Sequence, residues 1–208
     1  MAQITPEQTT KAIHPVLGIM GGLGPAASCY LYQMITDHTP AQKDQDHIDI
    51  VISSRASTPD RTAFIVGKSK DDPFDVMEQD GISLVRYGAT VLAIACNTAH
   101  YFLPRLQAMT KLPFISMLEA TAKTCAAQYP GRTAAVLATK GTLATGLYEQ
   151  ALAAQNVRCL IPDAGEQDVL MHLIYDIVKA SRPLAPEEGT WQRLLDALRA
   201  RGADYFIL

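Results

Sequence analysis

Five consecutive residues, Cys96-Asn97-Thr98-Ala99-His100, bring a thiol, a carboxamide, a hydroxyl and an imidazole into one short stretch. A thiolate serves as nucleophile or base, and the ordinary thiol pKa of about 8.5 falls when N–H groups or a cation stand beside it. The preceding residues, Val91-Leu92-Ala93-Ile94-Ala95, are an apolar run with no helical period, which reads as a buried parallel strand. Open α/β sheets bind their ligands at the carboxyl ends of the strands, and Cys96 falls at such an end. A plainer reading makes Cys96 a buried packing residue, with Asn97 and Thr98 capping the next helix.

Two further stretches offer polar groups at the same rim. Gly21-Gly22-Leu23-Gly24-Pro25 follows a strand over residues 16–20 and opens a helix over residues 26–38, with Pro25 suited to the first helical position. Glycines at such a turn let an anion approach bare N–H groups at a helix N-terminus, so Gly22 is a candidate carboxylate or phosphate seat. The same letters fit G-x-G-x-x-A, but the next strand, residues 48–52, runs into Ser53-Ser54-Arg55. No acidic residue ends it to hold a ribose hydroxyl, which argues against a nicotinamide dinucleotide. Ser57-Thr58-Pro59-Asp60-Arg61-Thr62 reads as a loop whose Arg61 fork can grip a carboxylate. Alternatively, Arg61 is a surface residue paired with Asp60.

The elements that position these groups follow from pattern and punctuation. Residues 73–87 carry Phe74, Val76, Met77, Ile82, Leu84 and Val85 as a helix stopped at Gly88. Helices over residues 101–109 and 116–128 flank a short strand at 114–117. The second half re-enacts the first: a strand at 134–138, the turn Thr139-Lys140-Gly141-Thr142, a helix at 143–155 and a strand at 157–161 carrying Cys159. Helices at 168–179 and 191–201 complete it. Arg86 to Ile94 aligns without gaps with Ala200 to Leu208. By that symmetry, the residue equivalent to Cys96 falls about two positions past Leu208, and a buried strand ending there reads as a chain cut short.

Of the 208 residues, 48% are hydrophobic and 19% charged, a globular composition. The net charge of −3, without clustered Lys and Arg, argues against nucleic acid as a partner. No apolar run reaches the roughly 18 residues of a membrane span, and residues 1–14, a polar leader, lack a signal peptide's apolar centre. A cytoplasmic protein is the expectation. The four cysteines show neither CxxC pairing nor zinc spacing, which favours thiols over disulfides or a metal site.

Taken together, these motifs resemble the aspartate/glutamate racemase superfamily, and within it the aspartate racemases that work without pyridoxal phosphate. The resemblance runs from Val16 to Leu208. It rests on Gly18-Ile19-Met20-Gly21-Gly22-Leu23-Gly24-Pro25, Pro59-Asp60-Arg61-Thr62, Cys96-Asn97-Thr98-Ala99-His100, Leu137-Ala138-Thr139-Lys140-Gly141-Thr142 with Tyr148, and Ile174-Tyr175 with Lys179. It implies an α/β fold of two similar domains, each an open, mostly parallel sheet flanked by helices. A pseudo-two-fold internal repeat relates them, with the active site in the cleft between. The domains would span residues 15–116 and 117–208, and family members are usually homodimers.

The implied chemistry is racemisation of a small acidic amino acid, aspartate or else glutamate, without a cofactor. An α-hydrogen is a very weak acid, so its removal needs a placed base and stabilisation of an enediolate-like carboxylate. Cys96 matches the family's first thiol. The second, in a Gly-Cys-Thr-Glu segment, would follow directly after Leu208, and Cys29, Cys125 and Cys159 are poorly placed to replace it. The resemblance assigns the α-carboxylate to Asn97, Thr98 and Ala99, faced by Thr139 and Thr142, and charged substrate contacts to Arg61 and Lys179. It places Gly22, Asp60 and Thr62 in the same site. His100 either tunes the thiol or is structural. Alternatives are a single-thiol decarboxylase or isomerase of dicarboxylic acids, and a non-catalytic protein that binds an acidic amino acid.

Overall fold

Parallel pairing in two separate sheets organises the chain. The computed structural model describes residues 14–208, so the expected polar leader lies, apart from His14, outside the described residues. The first sheet has the order β2-β1-β3-β4, with β1 Val16–Gly21, β2 Asp49–Ser54, β3 Val91–Ile94 and β4 Phe114–Ile115. The second has the order β6-β5-β7, with β5 Thr133–Val136, β6 Arg158–Leu160 and β7 Tyr205–Ile207. Every pairing is parallel. In each half the first strand therefore lies between the second and third, which is the internal repeat expressed as topology.

The aligned glycines show the repeat at atomic level. Gly88 (φ 93°) and Gly202 (φ 101°) both stop a helix in the left-handed region just before the third strand of their sheet. The helices concerned are α3 (Phe74–Arg86) and α9 (Glu188–Ala200). In α3, Phe74, Met77, Gly81 and Leu84 recur at helical spacing and are buried against the sheet. The same face holds Asp80, buried and paired at 2.7 Å with Arg55 just beyond β2. A carboxylate is tolerated there because the guanidinium satisfies it.

The halves have their own cores. Met20, Met77, Leu84, Leu92, Phe102 and Leu106 form one in the N-terminal half. In the C-terminal half, Leu118, Ala122, Val136, Tyr148 and Leu152 pack on one face of the sheet, and Leu170, Leu173, Leu194 and Leu198 on the other. The junction is short, since β4 leads into α5 (Met117–Gln128) through Ser116, whose hydroxyl caps Glu119 N–H.

Several helices differ from the sequence expectation for local reasons. The stretch read as a loop at residues 57–62 ends in the cap and first residues of α2 (Arg61–Ile65), with Asp60 accepting from Ala63 N–H. A 3-10 turn, Thr98–Phe102, precedes α4 (Leu103–Thr110). The single helix expected at 143–155 is two, α6 (Lys140–Ala144) and α7 (Leu147–Ala154), because Gly146 between them adopts φ 64°. The helix expected from Asp168 begins at Ala164. Asp163 and Glu166 form a capping box there, opening α8 (Ala164–His172), which runs into a π-helical turn, Leu173–Val178.

α2 of one half meets α6 of the other at very close range. A Cβ on Gly141 would lie 2.7 Å from both Cα and Oγ1 of Thr62, so only glycine fits without displacing backbone. Gly141→Ala should therefore destabilise the protein by about 1–3 kcal/mol, the usual cost of overpacking. An unchanged midpoint in urea unfolding would show that the contact between the halves is looser than this.

Candidate active site

The residues around the meeting of α2 and α6 are mostly threonines. Thr98 Oγ1, in the first residue of the 3-10 turn after β3, lies 2.7 Å from Thr142 Oγ1 and 3.0 Å from Thr139 Oγ1. Thr62 Oγ1 donates to Thr139 Oγ1 at 3.0 Å, and Thr139 also accepts from Thr142 N–H as the cap of α6. Two hydroxyls from each half thus form one network, with Thr62, Thr98 and Thr142 buried. Such hydroxyls are costly to bury without partners, and here each half supplies the other's. Cys96 stands two residues before Thr98, half-buried against the N-terminal core.

A charged group borders this network. The Asp60 carboxylate accepts from Tyr175 Oη at 3.0 and 3.2 Å and lies 3.7 Å from Lys179 Nζ. Tyr175 and Lys179 come from the π turn and its end, and the ammonium sits 3.7 Å over the Tyr175 ring. Burial tends to raise the pKa of Asp60, but Ala63 N–H, Lys179 and the Tyr175 hydroxyl together hold it below the usual 3.8. Burial pushes Tyr175 up to about 12, so its hydroxyl stays a donor. Lys179 is lowered by its own burial, while Asp60 and the nearby Cys96 act in the opposite direction.

Arg61 has another position than either sequence reading gave it. It is 8% exposed, and its Nη atoms donate to Thr58 O, Pro59 O and Leu23 O at 2.9–3.0 Å. The fork grips backbone, tying the Gly22–Gly24 turn to α2, and its Nε has no protein partner. Gly22 is likewise occupied: its N–H donates to Ser28 Oγ at 2.9 Å, and a Cβ there would meet Arg55 N at 2.3 Å. With φ 76°, Gly22 is required by the closeness of the β2 end. Ala99 is fully buried in the N-terminal core.

His100 and Asn97 also reach the other half. His100 Nδ1 lies 2.9 Å from Cys96 O, and its Nε2 accepts from Met117 N–H at 3.2 Å. A carbonyl only accepts and an amide N–H only donates, so the ring is neutral with its proton on Nδ1. Burial holds it below the usual 6.5. Asn97 does not cap the following turn; its Oδ1 accepts from Tyr148 Oη at 2.9 Å. The sequence reading gave no role to Tyr148 or Tyr175, although both stand in the motifs it singled out; their signal was spacing, and their partners lie in the other half.

The other cysteines lie apart from this cluster. Cys29 is exposed on α1 (Pro25–His38), Cys125 is buried in α5, and Cys159 sits within β6, where burial and Glu149 push its thiol up to about 11.

Two similar parallel α/β halves hold a strand-end thiol, a hydroxyl network and a carboxylate–ammonium pair near where they meet. Residues 20–208 match the family described as Asp/Glu/Hydantoin racemase, and the chain belongs to that family. It is similar to the broad specificity amino-acid racemase RacX of Bacillus subtilis, 25% identical over 200 residues, covering 92% of this chain and 83% of that protein. Its structure is similar to Picrophilus torridus aspartate racemase, with TM-score 0.81, 27% identity, and 93% and 80% of the two chains covered. An aspartate racemase homologue from Pyrococcus horikoshii OT3 shares the fold, with TM-score 0.70, 21% identity, and 92% and 83% covered.

The His100 geometry has a consequence for pH. The unfolded chain takes up a proton near pH 6.5, whereas the folded ring takes one only at lower pH. Its contribution to stability is complete above pH 6.5 and is lost as the pH falls below that value. Thermal unfolding of His100→Gln should show a shallower loss of Tm than the parent from neutrality down to about pH 5. Identical slopes would contradict a neutral, doubly bonded His100.

Proposed function

We propose that this protein interconverts L- and D-aspartate, with glutamate the next candidate, using Cys96 as a base at Cα and no cofactor. The observation that supports this reading is the network of four threonine hydroxyls from both halves, which begins two residues past Cys96 and is bordered by the Asp60–Lys179 pair. The Cys96 thiolate takes the α-proton, and the C–H electron pair moves into the α-carboxylate, which becomes enediolate-like. Donors that close around that carboxylate stabilise the charge as it develops. Asn97, Thr98, Thr139 and Thr142 are such donors. Cys96 serves the face of Cα on which it stands, and a proton returned to the opposite face by a second acid of the protein completes inversion.

Charge selects the substrate in this reading. Lys179 meets the side-chain carboxylate, while Arg61, its Nη atoms occupied by backbone carbonyls, contributes positive potential at longer range. The hydroxyl contacts of 2.7–3.0 Å leave no space for an amino acid between them, so binding opens the halves and exchanges these bonds for bonds to substrate. We take residues 15–116 and 117–208 as the two domains, supported by their separate cores. Four free thiols support a reducing, cytoplasmic setting, and no helix among the described residues is long and apolar enough to cross a membrane.

The test is incubation with L-aspartate in D₂O, followed by NMR for deuterium at Cα and by chiral analysis for D-aspartate. Deuterium entry that disappears in Cys96→Ala is the expected result. Entry with inversion supports the two-base route and entry without inversion a one-base site. Absence of exchange with both aspartate and glutamate would overturn the racemase reading of this site.

A further inference from the structure

We infer that Tyr148 is a positioning residue for this reaction, holding the Asn97 carboxamide so that its N–H end faces the α-carboxylate of the substrate. This inference rests on the reading of Cys96 as the base. Asn97 occupies the position before the Thr98–Phe102 turn, where an asparagine ordinarily bonds the free N–H groups of the turn. Its backbone is already helical, at φ −56° and ψ −52°, and its side chain makes no cap bond. The carboxamide oxygen instead accepts from Tyr148 Oη at 2.9 Å, across the boundary between the halves.

The phenol is well suited to fix that orientation. Its ring is 2% exposed among Leu118, Ala122 and Leu152, so it has no room to swing. Burial pushes its pKa up to about 12, so the hydroxyl keeps its proton and donates. With Oδ1 taken, the end of Asn97 left for the cleft is Nδ2, a donor adjacent in sequence to the thiol. Reversed, the amide would point an oxygen at an anion whose charge grows in the transition state, which is repulsive. Gly146, left-handed at φ 64°, ends α6 and lets α7 start in a new direction with Tyr148 as its second residue. Tyr148 belongs to the C-terminal half and Asn97 to the N-terminal half, so this donor is aimed once the halves have closed on the substrate.

The experiment measures kcat and KM for deuterium entry into L-aspartate with the full chain, Tyr148→Phe, Asn97→Ala and the double variant. Loss of one donor to a developing oxyanion typically costs about 10²–10³ in kcat, so a donor left free to turn should cost on the order of tenfold. KM should change by less than about threefold, since the effect grows with charge in the transition state. In the Asn97→Ala background, Tyr148→Phe should cause no further loss of kcat. A kcat for Tyr148→Phe equal to the parent, or the same loss in both backgrounds, would overturn the proposal; the latter marks a packing role. Asn97→Asp gives an independent reading, because it replaces the N–H end with oxygen: it should lose exchange at least as fully as Asn97→Ala, and parent-like activity would overturn the orientation. If the parent itself exchanges no α-proton of aspartate or glutamate, the racemase reading fails and the role of Tyr148 falls with it. Parent activity with an unaffected Tyr148→Phe rejects the positioning role alone.

Discussion

The hydrogen bond of 2.7 Å between Thr98 and Thr142 is the contact on which the remaining arrangement depends. Each hydroxyl is buried by the opposite half, and neither half alone offers it this partner. Burying a hydroxyl without a partner costs several times what a made bond returns. The two sheets are thereby held in one relative position, with Gly141 against the Thr62 backbone as its steric counterpart.

Around this contact, polar side chains of the N-terminal half are completed by the C-terminal half. Asp60 is met by Tyr175 and Lys179, Asn97 by Tyr148, and His100 by the first N–H of α5. Tyr175 and Lys179, four positions apart on the π turn and its end, lie on one side, with the ammonium stacked on the ring at 3.7 Å. Lys179 is a partly buried ammonium with a carboxylate, a phenol ring and a thiol as neighbours. Arg61 serves a different purpose, fastening the glycine turn to α2 through three backbone carbonyls. One basic residue of the motif set thus holds backbone, and the other pairs with a side-chain carboxylate.

Much of the fold was legible in the amino-acid order. Apolar runs without helical period at β1, β3 and β5 mark strands buried on both faces, and Gly88 and Gly202 mark where helices must stop. What escaped the reading was local. A periodic apolar pattern continues through Gly146 unbroken, yet that glycine's left-handed backbone divides the helix. Arg61 and Thr62 read as loop because the five-residue helix they open carries too few positions to show a period.

For the candidate site, residue types and spacing determined that Cys96, Asn97 and Thr98 end a buried strand and that Thr139 and Thr142 form the matching turn, because strand and turn signals are written within a few neighbouring residues. The tertiary structure alone decided the partners: that Arg61 faces backbone, that Asn97 bonds Tyr148 instead of its own turn, and that His100 is neutral. Those outcomes depend on pairs separated by 38 positions for Arg61 and Leu23, 51 for Asn97 and Tyr148, and 17 for His100 and Met117. No local propensity encodes such distances. They follow from how two parallel sheets pack, and packing is settled by the whole set of buried contacts at once.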